Sequence, residues 1–162
     1  MELRNGKLED LTELQQLFVD TVKAICRNDY NAEQIKVWTS GVENIERWER
    51  ILKTQYVLVA EKENKIVGFA TLENGNYIDL FYVHKDFERK GIAKKLYKKI
   101  EAETRRQQQT KLTSDVSKTA KPFFKHIGFE EIKEQKIIRK DVELINFKMI
   151  KELSNKDKTN EK

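Results

Sequence analysis

The chain is 162 residues long, 38% hydrophobic and 36% charged, and its net charge is +5 at pH 7. This length predicts one globular domain with a buried core, and because no apolar run approaches about 18 residues, the sequence argues against a membrane-spanning helix. Cys26 is the only cysteine and only two histidines occur, so the sequence predicts neither a disulfide framework nor a metal site.

The first part of the chain has the apolar spacing of helices. Apolar residues recur on one face of a predicted helix that follows Asp10, and Asp10 or Thr12 is placed to cap its start. Asn31 with Gln34 three residues later resembles a capping box and predicts the start of a second helix. A third short helix is predicted around Trp48.

The pattern changes to strands at Tyr56. The runs YVLVAEK, IVGFATLE and YIDLFYV are rich in β-branched and aromatic residues and are separated by short turns, so they predict an antiparallel meander. A helix follows with its apolar face starting at Ile92. KLTSDV predicts a short strand, and a helix with Pro122 in its first turn ends at Gly128. Two long strands close a single domain over residues 1–153, and residues 154–162 form a polar tail.

The turn before the fourth predicted helix is cationic and contains one glycine, Gly91. A helix N-terminus has free N–H groups that bind anions, and a residue without a side chain lets a phosphate approach the backbone. Arg89, Lys90 and Lys94 can add counter-charge. The residues alone leave two interpretations open, a diphosphate site and an ordinary solvated turn. The nucleotide-binding patterns GxGxxG and GxxxxGK[ST] do not occur.

Two motifs resemble signatures of the GNAT superfamily of N-acetyltransferases. The segment Glu88–Ala93 (ERKGIA) is similar to the pyrophosphate signature (Gln/Arg)-x-x-Gly-x-(Gly/Ala), with Glu88 in place of the usual first residue. Ala120, Phe124, Gly128 and Phe129 match the signature Ala-x-x-x-(Tyr/Phe)-x-x-x-Gly-Phe. The resemblance covers roughly residues 1–153, and it is closest to the YafP-type branch of the superfamily.

The resemblance implies an α/β (α+β) fold of the GNAT type. This fold has a mixed, mostly antiparallel sheet of about six or seven strands, flanking helices, and two central strands that splay apart around acetyl-CoA. It implies that backbone groups of Phe81, Tyr82 and Val83 bind the pantetheine arm and the thioester carbonyl. The pyrophosphate would be bound by the segment that comprises Arg89, Lys90, Gly91, Ile92, Ala93 and Lys94.

Three positions depart from the family pattern. Glu88 is expected to point outward, because a carboxylate beside a diphosphate is unfavourable. Ser117 replaces an asparagine that contacts the cofactor in the family, and its hydroxyl could partly substitute. Phe124 occupies the position at which many members carry a tyrosine that protonates the leaving thiolate, and it is expected to pack beside the pantetheine end.

Candidate catalytic residues follow from the expected position of the thioester. Strand periodicity predicts that Tyr77, Asp79 and Phe81 share one face, which makes Asp79 the first candidate for the general base. Asp115 on the short strand is the alternative for the same role. His84 and His126 are expected at the surface.

The acceptor pocket is expected between the first helices and the loop that joins the last two strands. Tyr30 and Trp38 are candidate substrate contacts, and core packing is the other interpretation, favoured more for Trp48. The leading hypothesis is an acetyl-CoA-dependent N-acetyltransferase acting on a primary amine of a small molecule or peptide, and the alternative is a non-catalytic acyl-CoA sensor. A nucleic-acid binder is disfavoured because the interleaved aromatic residues of single-strand platforms are missing. Location in the cytoplasm and a possible homodimer are also expected.

Overall fold

The structure, a computed structural model, describes residues 1–153, and the predicted polar tail lies outside the described residues. Within that range, no helix is long and apolar enough to cross a membrane. The helices are α1 (Leu11–Ile25), α2 (Ala32–Thr39), α3 (Ile45–Thr54), α4 (Ile92–Arg106) and α5 (Lys121–His126). The strands are β1 (Glu2–Asn5), β2 (Tyr56–Lys62), β3 (Lys65–Glu73), β4 (Tyr77–Val83), β5 (Lys111–Ser117), β6 (Glu130–Arg139) and β7 (Val142–Glu152).

The strands form one seven-stranded sheet in the order β1-β2-β3-β4-β5-β7-β6. Every neighbouring pair is antiparallel except β4 and β5, which are parallel. The predicted mixed, mostly antiparallel sheet is therefore confirmed, as is the meander of β2, β3 and β4. The sequence did not predict β1, whose four residues pair with β2 at one edge of the sheet.

Helices cover both faces of the sheet, and each face has its own apolar core. On one face, α4 contributes Leu96 and Ile100, which are fully buried against the inner strands. On the other face, α1 contributes Leu14 and Val22, and α3 contributes Trp48. Burial of these side chains holds the helices against the sheet, since each fully buried apolar side chain contributes about 1.5–3 kcal/mol.

The capping predictions differ in their outcome. The predicted capping box of α2 is confirmed, because the Asn31 side-chain oxygen Oδ1 accepts from the Gln34 N–H at 2.8 Å and the Gln34 side chain accepts from the Asn31 N–H at 2.9 Å. Asp10 occupies the N-cap position of α1, as predicted, but its side chain makes no capping hydrogen bond to the helix. Its carboxylate accepts from the Lys7 N–H and pairs with Arg4, both at 2.9 Å, and the Arg4 guanidinium holds the pKa of Asp10 below its usual range.

A β-bulge interrupts β4 where it pairs with β3. Phe81 pairs with Ala70 and Ile78 pairs with Leu72, so two residues of β4, Asp79 and Leu80, stand opposite one residue of β3. An extra residue in one strand shifts the alternation of side chains beyond it. Asp79 therefore faces α3, whereas Phe81 packs into the core beneath α4. The prediction that Tyr77, Asp79 and Phe81 share one face is wrong for Phe81.

Candidate functional site

A fork in the sheet is the central feature of the site. Strands β4 and β5 pair only at Tyr77–Thr113 and Ile78–Ser114, and beyond these pairs the strands separate. The Ser114 hydroxyl donates to the Ile78 carbonyl at 2.8 Å and is buried, so the base of the fork is closed by a hydrogen bond.

The backbone of β4 beyond the fork presents polar groups to the gap. The Leu80 N–H donates to the Thr71 hydroxyl at 3.0 Å and the His84 N–H donates to the Val67 carbonyl at 2.8 Å, so these groups point toward β3. Backbone groups of successive residues alternate in direction along a strand. Those of Phe81 and Val83 therefore face the gap, where β5 no longer pairs with them.

A cleft of about 400 Å³ runs through this gap from one face of the sheet to the other. We call its two ends the α5 side and the α3 side. The α5 side is lined by Glu88, Ala93, Ala120, Phe123 and Phe124. The α3 side is lined by Tyr30, Trp38, Arg47, Trp48, Tyr77, Asp79, Asp115, Ile137, Arg139 and Leu144.

The turn before α4 leaves an open helix N-terminus. Gly91 is the N-cap at φ 81°, a left-handed conformation that favours glycine, and a Cβ at this position would meet nothing within 4 Å. The first helical hydrogen bond runs from the Lys95 N–H to the Gly91 carbonyl. The preceding N–H groups have no partner within the helix, and no side chain caps them. These N–H groups belong to Ile92, Ala93 and Lys94, and the exposed cations beside them are Arg89, Lys90 and Lys94.

Glu88 is exposed, as expected for an outward-pointing side chain, but it also borders the cleft. It lies close enough to Cys26 for its charge to act on the thiol, whose pKa is raised to about 11, mainly by burial. Cys26 is buried and lines the cleft as well.

The α5 side is apolar and lacks a hydroxyl at the position of Phe124. Phe124 is 3% exposed, and its ring lies 5.9 Å from that of Phe81 and 5.0 Å from that of Phe129. The Ser117 hydroxyl accepts from the Ala120 N–H at 3.1 Å, so it supports the start of α5.

Asp79 is held from both sides by residues of α3 and the segment after it. One carboxylate oxygen pairs with Arg47 at 2.9 Å and the other accepts from the Gln55 amide nitrogen at 2.8 Å. The Asp79 side chain is only 9% exposed. Sequence reasoning missed Arg47 and Gln55, because nothing in their local sequence signals a contact with a strand more than twenty residues away.

Asp115 has a different set of partners. Its carboxylate accepts from the Tyr77 hydroxyl at 2.8 Å and from the Gln135 amide at 2.9 Å, and both donors are neutral. Burial and the hydrogen bond to Asp115 raise the pKa of Tyr77 well above its usual range. The structure therefore brings both candidate bases to the α3 side of the fork.

The predicted acceptor residues lie on the same side. Tyr30 is buried, donates to the Ile145 carbonyl at 2.5 Å and accepts from the Lys118 N–H at 3.0 Å, and burial raises its pKa. Its ring lies 5.2 Å from that of Trp38. Tyr30 thus packs in the core and also lines the cleft, so the two interpretations are not exclusive.

The two histidines differ in exposure. His126 is exposed, as predicted. The prediction that His84 lies at the surface is wrong, because its ring is buried against Phe87 and its Nδ1 accepts from the Asp86 N–H at 3.1 Å. His84 thereby fixes the turn that leads from β4 to the open end of α4.

The comparison with known families decides the assignment. Residues 26–151 match the family model described as the Acetyltransferase (GNAT) domain. The chain belongs to the GNAT acetyltransferase family. The resemblance inferred from the two sequence motifs is therefore confirmed.

Individual GNAT relatives agree with this assignment over nearly the whole chain. The uncharacterized N-acetyltransferase YafP of Escherichia coli (strain K12) is 31% identical over 149 residues, which cover 92% of this chain and 94% of that protein. A GCN5-related N-acetyltransferase from Rhodopseudomonas palustris superposes with a TM-score of 0.90 at 28% identity, covering 94% and 95% of the two chains. The PaiA N-acetyltransferase of Thermoplasma acidophilum, solved in complex with coenzyme A, superposes with a TM-score of 0.77 at 18% identity, covering 93% and 98%.

Proposed function

We propose that this GNAT protein transfers an acetyl group from acetyl-CoA to a primary amine of a small molecule or peptide. The observation that carries the proposal is the fork between β4 and β5, which leaves backbone groups of Phe81 and Val83 without a partner on β5, beside the open N-terminus of α4. Membership of the acetyltransferase family and the coenzyme A bound to PaiA support it.

The residues on the α5 side fit acetyl-CoA. The N–H groups of Ile92, Ala93 and Lys94 would bind the pyrophosphate in the open space above Gly91, and Arg89 and Lys90 would add counter-charge. Backbone groups of Phe81 and Val83 would hold the pantetheine arm along β4. The Tyr82 backbone, which the sequence also assigned to this role, points toward β3 by the same alternation and pairs there with Phe69. Phe124 would pack against its end, and the Ser117 hydroxyl still has its hydrogen to donate. Acetyl-CoA, when bound, supplies an activated thioester.

The residues on the α3 side would perform the transfer. The amine nitrogen forms a bond to the acetyl carbonyl carbon, the C–S bond breaks, and coenzyme A leaves as a thiolate. Asp79, or Asp115 in its place, accepts the proton of the amine directly or through a water molecule. A backbone N–H of β4 facing the gap stabilises the developing oxyanion. Because a thiol has a pKa of about 8.5, its thiolate can leave near neutral pH without a side-chain acid at Phe124.

Tyr30 and Trp38 would form the wall of the acceptor pocket, because both line the α3 side. Location in the cytoplasm and a homodimer stay predictions from the sequence.

Two observations favour a second candidate, a sensor that binds acyl-CoA without transfer. Asp79 is already paired with Arg47, and the α5 helix offers no acid at Phe124. Such a protein would bind acetyl-CoA and release no coenzyme A in the presence of amines.

The experiment that separates the two candidates is an acetyl-transfer assay. The purified protein is incubated with acetyl-CoA and a library of primary amines, and free thiol and acetylated products are measured by absorbance and mass spectrometry. We expect an amine-dependent product that is lost in Gly91→Glu and kept in Lys99→Gln, which makes the same change of charge on an exposed position of α4. Binding of acetyl-CoA without any product across the library would overturn the proposed transfer.

A further inference from the structure

Four charged side chains line the α3 side of the cleft, two acidic and two basic. They are Arg47, Asp79, Asp115 and Arg139. Arg47 and Asp79 form an ion pair, whereas Asp115 accepts only from neutral donors. Within residues 1–153, Arg139 has no carboxylate within 4.0 Å. The cleft therefore presents an anion and a cation that are not paired with each other.

Arg47 uses only part of its guanidinium in the ion pair. Its Nη2 bonds to Asp79, while no acceptor in the described part of the chain bonds to Nε or Nη1. The Arg47 side chain is 41% exposed, so these donors are accessible. A planar guanidinium can bind a second carboxylate through its remaining donors.

Arg139 faces the same space from the opposite wall. Gln135, Ile137 and Arg139 alternate along β6 and so share one face of the strand. Gln135 on this face bonds to Asp115, and both Ile137 and Arg139 line the cleft.

The two acidic and two basic side chains on the α3 side favour some classes of amine acceptor over others. A polyamine would bring several positive charges toward Arg47 and Arg139, and like charges at close range are unfavourable. Arg139 is exposed, so a simple alkylamine would leave its guanidinium in contact with water and would gain no affinity from it. An amine that also carries a carboxylate would satisfy both signs, with its nitrogen near Asp79 and Asp115 and its acid group near Arg139 and Arg47.

The rest of this wall is apolar. Trp38, Trp48, Ile137 and Leu144 line the same side of the cleft. Such a surface fits an aromatic or aliphatic body between the two charged ends of the acceptor.

We propose that the acceptor is an amino acid with an apolar body, and that Arg139 and Arg47 bind its carboxylate while its primary amine faces Asp79 and Asp115. This inference rests on the proposed acetyl transfer, and it goes further by naming the chemical class of the acceptor.

The test compares matched amines that differ only in the acid group. One set is L-phenylalanine, L-phenylalaninamide and phenethylamine, a second is L-leucine, L-leucinamide and isoamylamine, and spermidine represents polyamines. We expect kcat/KM for at least one amino acid to exceed that of its amide and its decarboxylated analogue by about tenfold or more, and spermidine to be poor. Equal values for acid, amide and plain amine in both sets would overturn the inference while leaving the proposed transfer intact.

Single substitutions test which residues cause the preference for an acceptor with a carboxylate. Arg139→Gln should lower kcat/KM for the preferred amino acid by about tenfold, mainly by raising KM, and should leave the decarboxylated amine nearly unchanged. Lys136→Gln is the control, because it removes one charge from the opposite face of β6 and should change none of the values. A preference that survives both Arg139→Gln and Arg47→Gln would overturn the assignment.

Binding of the acceptor compounds can be measured without catalysis, so it tests this inference independently of the proposed transfer. If no amine is acetylated, the transfer is contradicted, and titration calorimetry of the same compounds with coenzyme A present decides the inference. Tighter binding of the amino acid than of its amide, lost in Arg139→Gln, would support it. Equal binding, or none, would overturn it.

Discussion

The hydroxyl of Tyr77 donates a 2.8 Å hydrogen bond to Asp115 across the point at which β4 and β5 separate. The two strands are still paired at Tyr77 and Thr113, but Asp115 lies two residues further along β5, where pairing with β4 has ended. The bond therefore links the strands beyond their last backbone pair. It also fixes a phenol and a carboxylate on the α3 side of the cleft.

Replacing Tyr77 by Phe removes this link and keeps the ring. A hydrogen bond to a charged group contributes about 1.5–3 kcal/mol, and Asp115 is exposed, so we expect the free energy of unfolding to fall by about 1–2 kcal/mol. Urea denaturation measures this change. Tyr56→Phe is the control, because the Tyr56 hydroxyl bonds to no group in residues 1–153, and an equal loss in both variants would contradict the role given to the hydrogen bond.

Alkaline pH should destabilise the fold through its tyrosines. All five have a pKa raised above the usual value of about 10, in each case mainly by burial. A group whose pKa is higher in the folded state stabilises the fold below the unfolded pKa and loses that contribution as pH rises through the folded pKa. We expect the contribution of the tyrosines to the free energy of unfolding to stay constant up to about pH 10 and to decrease above that pH.

Ultraviolet absorbance of tyrosinate measures this directly. At about pH 10, the native protein should show little tyrosinate, while the protein unfolded in guanidinium should show about half of its tyrosines ionised. Equal tyrosinate signals in the two samples at this pH would contradict the shifts.

The bulge in β4 depends on Thr71, which is 1% exposed. Its hydroxyl accepts from the Leu80 N–H. Because of the bulge, this N–H does not bond to a backbone carbonyl of β3. Thr71→Val keeps the shape and leaves this N–H unsatisfied, so we expect the protein to lose about 1–3 kcal/mol of stability. Thr71→Ser keeps the acceptor and should lose less, as measured by urea denaturation. A Val variant as stable as the Ser variant would show that the hydrogen bond does not hold the bulge.

Substitutions of Asp79 and of Asp115 can show which of these two carboxylates accepts the proton. If Asp79 takes the proton of the amine, Asp79→Asn should lower kcat by about 10²–10⁴ with little change in acetyl-CoA affinity. Steady-state kinetics and calorimetry measure the two quantities. Asp141→Asn in the exposed hairpin turn is the control and should behave as wild type. Full activity in Asp79→Asn with a loss in Asp115→Asn would move the role to Asp115.

The features that sequence reasoning found are those encoded locally. The capping box of Asn31 and Gln34, the glycine before α4 and the stop of α5 before Gly128 each involve residues within one helical turn. Each of these features satisfies free backbone groups at a helix end, and the residues that do so lie within a few positions of each other in the sequence. The mixed sheet and the separation of β4 from β5 were also accessible, because the motifs identified the family.

The features that sequence reasoning missed depend on the register between strands and on contacts between residues that are far apart in the chain. The bulge exists because Asp79 and Leu80 share one partner in β3, which cannot be seen from the alternation within β4 alone. The pairing of Asp79 with Arg47 joins a strand to a helix, and Arg139 reaches the cleft only because β6 and β7 form a long hairpin beside β5. His84 was misplaced because its burial comes from the turn that follows it.

The central claim is that the open end of α4 binds the pyrophosphate of acetyl-CoA, and titration calorimetry of acetyl-CoA into three forms of the protein tests it most directly. Wild type should bind, and acetyl-CoA at about 100 times its Kd should stabilise the fold by about 2.7 kcal/mol. Gly91→Ala should still bind but lose about 1 kcal/mol of stability, because alanine is strained at a φ of 81°. Gly91→Glu should fold and fail to bind, since its side chain and charge would occupy the phosphate position. Undiminished binding of acetyl-CoA by folded Gly91→Glu would contradict the account.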